Sequence, residues 1–218
     1  MLTLAEENYI KAIYHLGFNG TETVNTNAIA EAMNTKASSV TDMIKKLSEK
    51  NFVDYKKYQG VTLTDDGRFI AVNMIRKHRL WEVFLVEKLN FNWDEVHEVA
   101  EHLEHIKSKK LINQLDKFLG YPTHDPHGEP IPDASGQIKK MDKILLSEAL
   151  ENSSCICVGV QDSSVEFLQY LDKNNIALGA TLKVLQIEPF DNSVTIKINE
   201  KELVVSNVIA KNLYVKVQ

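Results

Sequence analysis

The 218-residue chain is 44% hydrophobic and 25% charged, enough apolar material for two or three small domains with cores of their own. It has no run of 18 apolar residues, and Met1-Leu2-Thr3-Leu4-Ala5-Glu6-Glu7 lacks the basic and apolar regions of a secretory signal. A membrane span is therefore not expected, and a cytoplasmic setting is. The net charge of −5 argues against a polyanion-binding surface over the whole chain, but between positions 35 and 59 Lys36, Lys45, Lys46, Lys50, Lys56 and Lys57 face only Asp42, Glu49 and Asp54. Contact with phosphate depends on such a local patch more than on the total.

Residues 6–16 read as a helix, with Tyr9, Ile10, Ile13, Tyr14 and Leu16 at helical spacing, ended by Gly17-Phe18-Asn19-Gly20. Asn25, Thr26 and Asn27 offer N-caps to a short helix over 28–33. After Asn34-Thr35-Lys36, a third helix over 38–50 carries the apolar stripe Val40, Met43, Ile44 and Leu47. Segments 52–57 and 61–64 flank Tyr58-Gln59-Gly60 and read as a β-hairpin. Three helices followed by a two-stranded wing is the order of a winged helix-turn-helix.

Asp65-Asp66-Gly67 opens a long helix to about Leu89, Asn92-Trp93-Asp94 caps another over 95–108, and a third covers 110–119. Residues 120–137 hold four of the five prolines and three of the nine glycines, the mark of a loop and domain boundary. A short helix over 141–150 is expected next. Strands follow over 155–160, 181–187, 193–198 and 202–205, interrupted by a helical insert over 165–171, a pattern that suggests a small SH3-like barrel. Cys155 and Cys157 fall in the first of these strands and read as small buried residues, not as a disulfide. The expected fold is mainly α with a small β domain: a winged helix over 1–73, a helical domain over 74–140 and the SH3-like domain over 141–218.

The helix over 95–108 is rich in ligand-type side chains. At about 100° per residue from His97, Glu101 falls near ~40°, Glu104 near ~340° and His105 near ~80°, beside an apolar stripe of Val96, Val99, Ala100, Leu103 and Ile106. Two carboxylates and an imidazole suit a divalent ion such as Mn²⁺ or Fe²⁺. A solvated polar face is the plainer reading of a Glu/His-rich helix. His78 and Glu82, at i and i+4 on the preceding helix, form a second ligand-compatible pair and weigh against it. Read from the residues alone, His15, His102 and His124 are surface or loop positions, and Asp125 and His127, on either side of Pro126, hold a turn.

These features occur in an order that resembles one family. Glu7-Asn8-Tyr9-Ile10-Lys11-Ala12-Ile13-Tyr14, Ser38-Ser39-Val40-Thr41 and Leu63-Thr64-Asp65-Asp66-Gly67-Arg68 are similar to the diphtheria-toxin-repressor family of metalloregulators, in its manganese-sensing branch. So are Arg76-Lys77-His78-Arg79-Leu80, Val96-His97 with Glu101-x-x-Glu104-His105, and Asp125-Pro126-His127-Gly128-x-Pro130-Ile131-Pro132. The resemblance covers almost the whole chain. It implies a homodimeric repressor that binds an inverted-repeat operator in double-stranded DNA, controls metal homeostasis genes and carries two metal sites per subunit. By position it implies that Glu101, Glu104 and His105 form the regulatory site, completed from the first helix by Asn8, where the family usually shows Met or Asp. His78, Glu82 and His97 match a second site, to which Asp125 and His127 and, from the C-terminal domain, Asp162 and Glu166 are candidate additions. Glu101 stands where iron-sensing members tend to carry Cys, which tilts the expectation from Fe²⁺ toward Mn²⁺.

The expected recognition helix places Ala37, Ser38, Ser39, Thr41, Asp42 and Lys45 toward DNA, with Lys36 and Lys46 attracting phosphates and Lys56, Lys57 and Gln59 on the wing. It contains no arginine to read guanine, so shape readout is expected to outweigh direct readout. An enzyme of the carboxylate-bridged kind is the rival class. Its helices need Glu-x-x-His motifs, and no Glu stands three residues before any His here. A third reading is a winged-helix regulator whose C-terminal domain binds another ligand.

Overall fold

The computed structural model describes residues 2–56, 59–139 and 141–218. The chain divides into two compact units. One comprises Met1–His78 with Leu103–Lys107 and Pro132–Gln137; the other comprises Arg79–His102, Ser108–Ile131 and Ile138–Gln218.

The first unit is the expected winged helix. Helix α1 (Leu4–Leu16) starts two residues earlier than the apolar spacing shows, because Thr3 and Glu6 form a capping box. Helix α2 (Thr26–Ala32) is capped by the Asn25 side chain, which accepts the Ala28 N–H at 2.8 Å. Helix α3 (Ala37–Glu49) buries Val40, Ile44 and Leu47 against Ile10, Ile13 and Ile29. Strands β1 (Val53–Lys56) and β2 (Gly60–Leu63) pair antiparallel, and a bridge from Val24 to Val61 ties the wing to the segment before α2. Gly67 lets helix α4 (Asp65–Leu89) start under the wing: a Cβ there would fall 2.0 Å from the Phe52 carbonyl oxygen.

In the second unit, the rest of α4 is followed by α5 (Val96–Leu103), α6 (Lys109–Phe118) and the proline-rich loop. The C-terminal part consists of β3 (Ile144–Leu145), β4 (Ser154–Val160), α7 (Val165–Lys173), β5 (Thr181–Ile187), β6 (Val194–Ile198), β7 (Lys201–Val205), α8 (Asn207–Ala210) and β8 (Leu213–Val217). Its six strands form one antiparallel sheet in the order β3-β8-β4-β5-β6-β7. Alternate residues of β4, among them Cys155 and Cys157, enter a core with Leu168, Leu171, Leu182, Val184, Ile196 and Leu213. Both cysteines are free, and burial pushes the Cys157 thiol up to about 11.

Two sequence expectations change. The helix over 141–150 is instead the short strand β3 and one 3₁₀ turn, Leu146–Glu148. Ile144 and Leu145 take their partners from Val215 and Tyr214, so pairing across the sheet overrides local preference. The expected helix over 95–108 stops at Leu103, and the chain turns before Ser108 caps α6.

Ile44 is fully buried and Phe190 is 94% exposed. Denaturant unfolding is therefore expected to show a loss of ~2–5 kcal/mol for Ile44→Ala and a change within about 0.5 kcal/mol for Phe190→Ala.

Candidate metal centre and nucleic-acid face

In the first unit, α3 turns its apolar stripe inward and leaves Lys36, Ala37, Ser38, Ser39, Asp42, Lys45 and Lys46 exposed. No side chain caps its N-terminus, so the first backbone N–H groups face outward beside two serine hydroxyls. Thr41 is half-buried and donates its hydroxyl to the Ala37 carbonyl at 2.9 Å. The exposed Lys45–Asp42 pair, 3.9 Å apart, is weak and leaves the lysine available to phosphate. On the wing Lys56 and Gln59 are exposed, and Lys57 lies outside the described residues.

The second unit builds a carboxylate–imidazole cluster on Glu82. This residue sits on α4 with only 2% of its surface exposed, and Asp125 and His127 come to it from the proline-rich loop. Single ligand atoms of the three lie within 4.8 Å of one another. The loop is fixed by its own residues. Asp125 Oδ1 accepts the N–H groups of His127 at 2.8 Å and Glu129 at 2.9 Å, while the Val160 N–H at the end of β4 donates to the His127 carbonyl at 2.9 Å. Gly128 has φ +83°, and a Cβ there would meet the Val158 carbonyl oxygen at 2.1 Å, so only glycine passes this close to β4.

The partner of its other nitrogen sets the His127 tautomer. His127 Nε2 lies 2.9 Å from the Trp93 carbonyl oxygen, which can only accept, so Nε2 carries the proton. In the neutral ring Nδ1 then has a lone pair, 3.7 Å from Glu82 Oε2. Metal-binding histidines are oriented in this way, by a carbonyl on the far nitrogen. The Trp93 ring stacks on the imidazole at 6.1 Å and its N–H donates to Asp172 on α7 at 3.0 Å.

Burial first and then the neighbouring charge of Glu82 raise the Asp125 carboxyl to about 6, against the opposing pull of Arg79, whose Nε lies 3.4 Å from Oδ2, and of His127. Burial alone would lower the His127 pKa; the Glu82 and Asp125 carboxylates outweigh it and raise it. Two carboxylates held together with little water repel, and a divalent cation relieves that repulsion. The donor set fits such an ion. Glu82 also serves a second group: its Oε1 lies 3.5 Å from His97 Nδ1, and His97 Nε2 lies 3.7 Å from Glu101 Oε1.

Because α5 ends at Leu103, the helix expected to carry Glu101, Glu104 and His105 together does not run through all three: Glu104 and His105 lie in the turn that follows. In the first unit Glu104 Oε2 lies 2.7 Å from both Lys11 Nζ and His78 Nδ1. Burial raises the Glu104 pKa, but His78 and Lys11 outweigh it and hold the carboxyl below its ordinary value. His105 Nδ1 lies 2.8 Å from Glu7 Oε2, and Lys107 Nζ lies 3.6 Å from Glu7 Oε1. Asn8 Oδ1 and Glu104 Oε1 are buried without a hydrogen-bond partner. His78, which its spacing pairs with Glu82 and the resemblance also with His97, places its Nδ1 against Glu104. Asp162 is half-buried and accepts the Ser164 N–H at 2.8 Å, Glu166 is exposed in the first turn of α7, and neither belongs to the Glu82 cluster.

Read from the residues alone, Asp125 and His127 hold a turn, and they do; the resemblance had also set them beside Glu82. The Trp93 carbonyl carries no signal in sequence, since any residue could supply it.

Comparisons with known proteins bear on the same regions. Residues 1–61 match the family described as iron dependent repressor, N-terminal DNA binding domain; residues 64–133 match iron dependent repressor, metal binding and dimerisation domain; residues 144–217 match the FeoA domain. The HTH-type transcriptional regulator MntR of Oceanobacillus iheyensis is 33% identical over 143 residues, covering 66% of this chain and 95% of that protein. The iron-dependent repressor IdeR of Mycobacterium tuberculosis is 32% identical over 126 residues, 58% of this chain, and the match spans only about half of that relative, 54%. A solved manganese-dependent transcriptional repressor in complex with manganese superposes with a TM-score of 0.84 at 33% identity, covering 98% of this chain and 100% of that one.

Asp125→Asn keeps the Oδ1 that closes the loop and removes one of the two crowded charges. Isothermal titration with Mn²⁺ is expected to show affinity reduced about 10- to 100-fold, while the metal-free protein keeps its stability to within about 1 kcal/mol.

Proposed function

The chain belongs to the iron-dependent repressor family of metal-dependent transcriptional regulators, the family of the diphtheria toxin repressor, and from that premise we propose that it is a cytoplasmic homodimeric repressor that binds an inverted-repeat operator when Mn²⁺ or Fe²⁺ is bound, and so controls metal homeostasis genes. Its working parts are the winged helix over 1–73, a metal and dimerisation region over 74–140 and the C-terminal domain over 141–218. Among the described residues no helix is long and apolar enough to cross a membrane, which is consistent with this setting. The relatives are regulators, and no catalytic step is assigned to the chain.

The observation that carries the proposal is the buried Glu82–Asp125 pair beside an imidazole whose Nε2 is held by the Trp93 carbonyl and whose Nδ1 faces Glu82. Glu82, Asp125 and His127 are the ligands we assign to the regulatory metal, with His97 and Glu101 as the second group on the far side of the Glu82 carboxylate. Oxygen and imidazole donors without thiolate favour Mn²⁺ or Fe²⁺ over softer ions, and the absence of a thiol among them supports Mn²⁺.

When bound, the ion supplies two positive charges that hold the carboxylates together. The chain's own residues carry that event outward. Asp125 and His127 belong to a loop hydrogen-bonded to β4, and Trp93 passes from His127 to Asp172 on α7, so the position of the loop is shared with the C-terminal sheet. Glu82 lies on the same helix that contributes Ala71, Val72 and Ile75 to the winged-helix core. An ion that prefers one arrangement of α4 and the loop shifts the population toward the DNA-binding form by that difference in affinity.

On the DNA side, Lys36, Lys45, Lys46 and Lys56 are assigned to phosphates, with Lys57 by its place in the wing. Ala37, Ser38, Ser39, Thr41 and Asp42 line the recognition face, and Gln59 the wing tip.

A duplex selected from a random pool in the presence of Mn²⁺ tests the proposal by fluorescence anisotropy. Binding should weaken at least 100-fold when Mn²⁺ is removed by chelation, and Lys45→Ala should lower the slope of log affinity against log salt by about one unit. Binding of equal strength with and without metal would refute the regulatory reading.

A further inference from the structure

The proposed function places metal at Glu82, Asp125 and His127. The second acidic cluster, at the contact of α1 with Leu103–Lys107 inside the first unit, has a different electrostatic character. Glu104 is fully buried, and its Oε2 lies 2.7 Å from two groups, His78 Nδ1 and the ammonium of Lys11, whose side chain is 13% exposed and which is the permanently charged one of the two. Glu7 takes His105 at 2.8 Å and Lys107 at 3.6 Å, and Lys107 also donates to the Leu2 carbonyl. Lys77, on α4, lines one cavity with Glu7 and Lys107, and its burial lowers its pKa against the attraction of Glu7 and Glu104. Each carboxylate thus has an ammonium as ion-pair partner, Lys11 for Glu104 and Lys107 for Glu7, with Lys77 beside Glu7 as a third. Among the described residues, Glu7, Glu104 and His105 are not part of any group of three metal-ligand side chains. The orphaned oxygens Asn8 Oδ1 and Glu104 Oε1 are the feature that favours an ion. Against them, a divalent ion would have to displace Lys11 and then sit beside three positive charges in a place with little water to screen them.

We propose that Lys11 is the resident cation of Glu104, so that the cluster facing α1 takes up no divalent metal and α1 is fastened to the Leu103–Lys107 segment whether or not metal is present. The inference deepens the proposed function, since it leaves the side of Glu82 as the place where metal is sensed, and it departs from the ligand set Glu101, Glu104, His105 and Asn8 that the resemblance implies. Lys11 follows Glu7 and Asn8 by one helical turn and so reaches the position that a ligand from α1 would take. The covalently attached ammonium is always at hand, whereas a free ion must be recruited from solution.

Equilibrium dialysis against Mn²⁺, with bound metal counted by mass spectrometry of the elements, provides the test. Glu104→Gln is expected to leave the number of ions per chain unchanged. Lys11→Glu, which exchanges the ammonium for a carboxylate, is expected to bind one more ion per chain, and Lys11→Glu combined with Glu104→Gln to lose it again. Loss of one ion in Glu104→Gln alone would overturn the proposal, as would an unchanged count in folded Lys11→Glu. Should Lys11→Glu fail to fold, the count in Glu104→Gln and in the milder Lys11→Met, expected to equal that of the unaltered protein, decides the matter. Asp125→Asn in the same assay separates the two ideas: if it retains every ion, the Glu82 assignment fails while the Lys11 proposal stands on Glu104→Gln.

Discussion

Two carboxylates, Glu82 and Asp125, are buried side by side with one imidazole, and their mutual repulsion is the constraint on which the rest of the account depends. Folding does not relieve it fully. Arg79 lies 3.4 Å from Asp125 but also serves Glu129 at 2.6 Å and the Pro130 carbonyl. The loop nevertheless holds the two acids together, through the Asp125 turn, the close pass of Gly128 over β4 and the bond from Val160. A structure that keeps like charges in place at a cost in stability is poised for a cation, and the free energy of binding then acts on every element that holds the charges.

The contrast with the Glu104 cluster shows why ligand-type residues alone do not define a metal site. Both clusters contain buried carboxylates and imidazoles. In one, the positive groups nearest the acids are an arginine shared with Glu129 and the imidazole of His127, whose Nδ1 faces Glu82. In the other, a lysine from α1 already makes a short ion pair, and Lys77 and Lys107 add to it. The sign of the surroundings, more than the list of donors, decides what a site binds.

The winged helix was legible in the sequence because its helices carry apolar stripes, such as Val40, Ile44 and Leu47, and a side-chain cap at Asn25, both local signals; the Thr3–Glu6 capping box that starts α1 went unread. The C-terminal sheet was legible where β-branched residues alternate. It was misread at 144–145, whose strand character comes only from Val215 and Tyr214 across the sheet, and β8 itself passed unread. For the site, spacing placed Glu101, Glu104 and His105 on one arc because it assumed a helix to 108, whereas the helix ends at Leu103 and the last two lie in the turn after it. The Glu82 group was reached only in part, since Asp125 and His127 lie more than forty residues from Glu82 and are brought to it by tertiary structure. Lys11 carried no warning in the sequence; an ordinary helix-surface lysine and one that neutralises a buried glutamate look alike until the partner is known.

Anomalous diffraction at the manganese edge, from crystals of the intact protein grown with Mn²⁺, tests the central claim most directly. The account predicts an anomalous peak among the Glu82, Asp125 and His127 side chains and none between Lys11 and Glu104. A peak at Glu104 with the Glu82 cluster bare would contradict it.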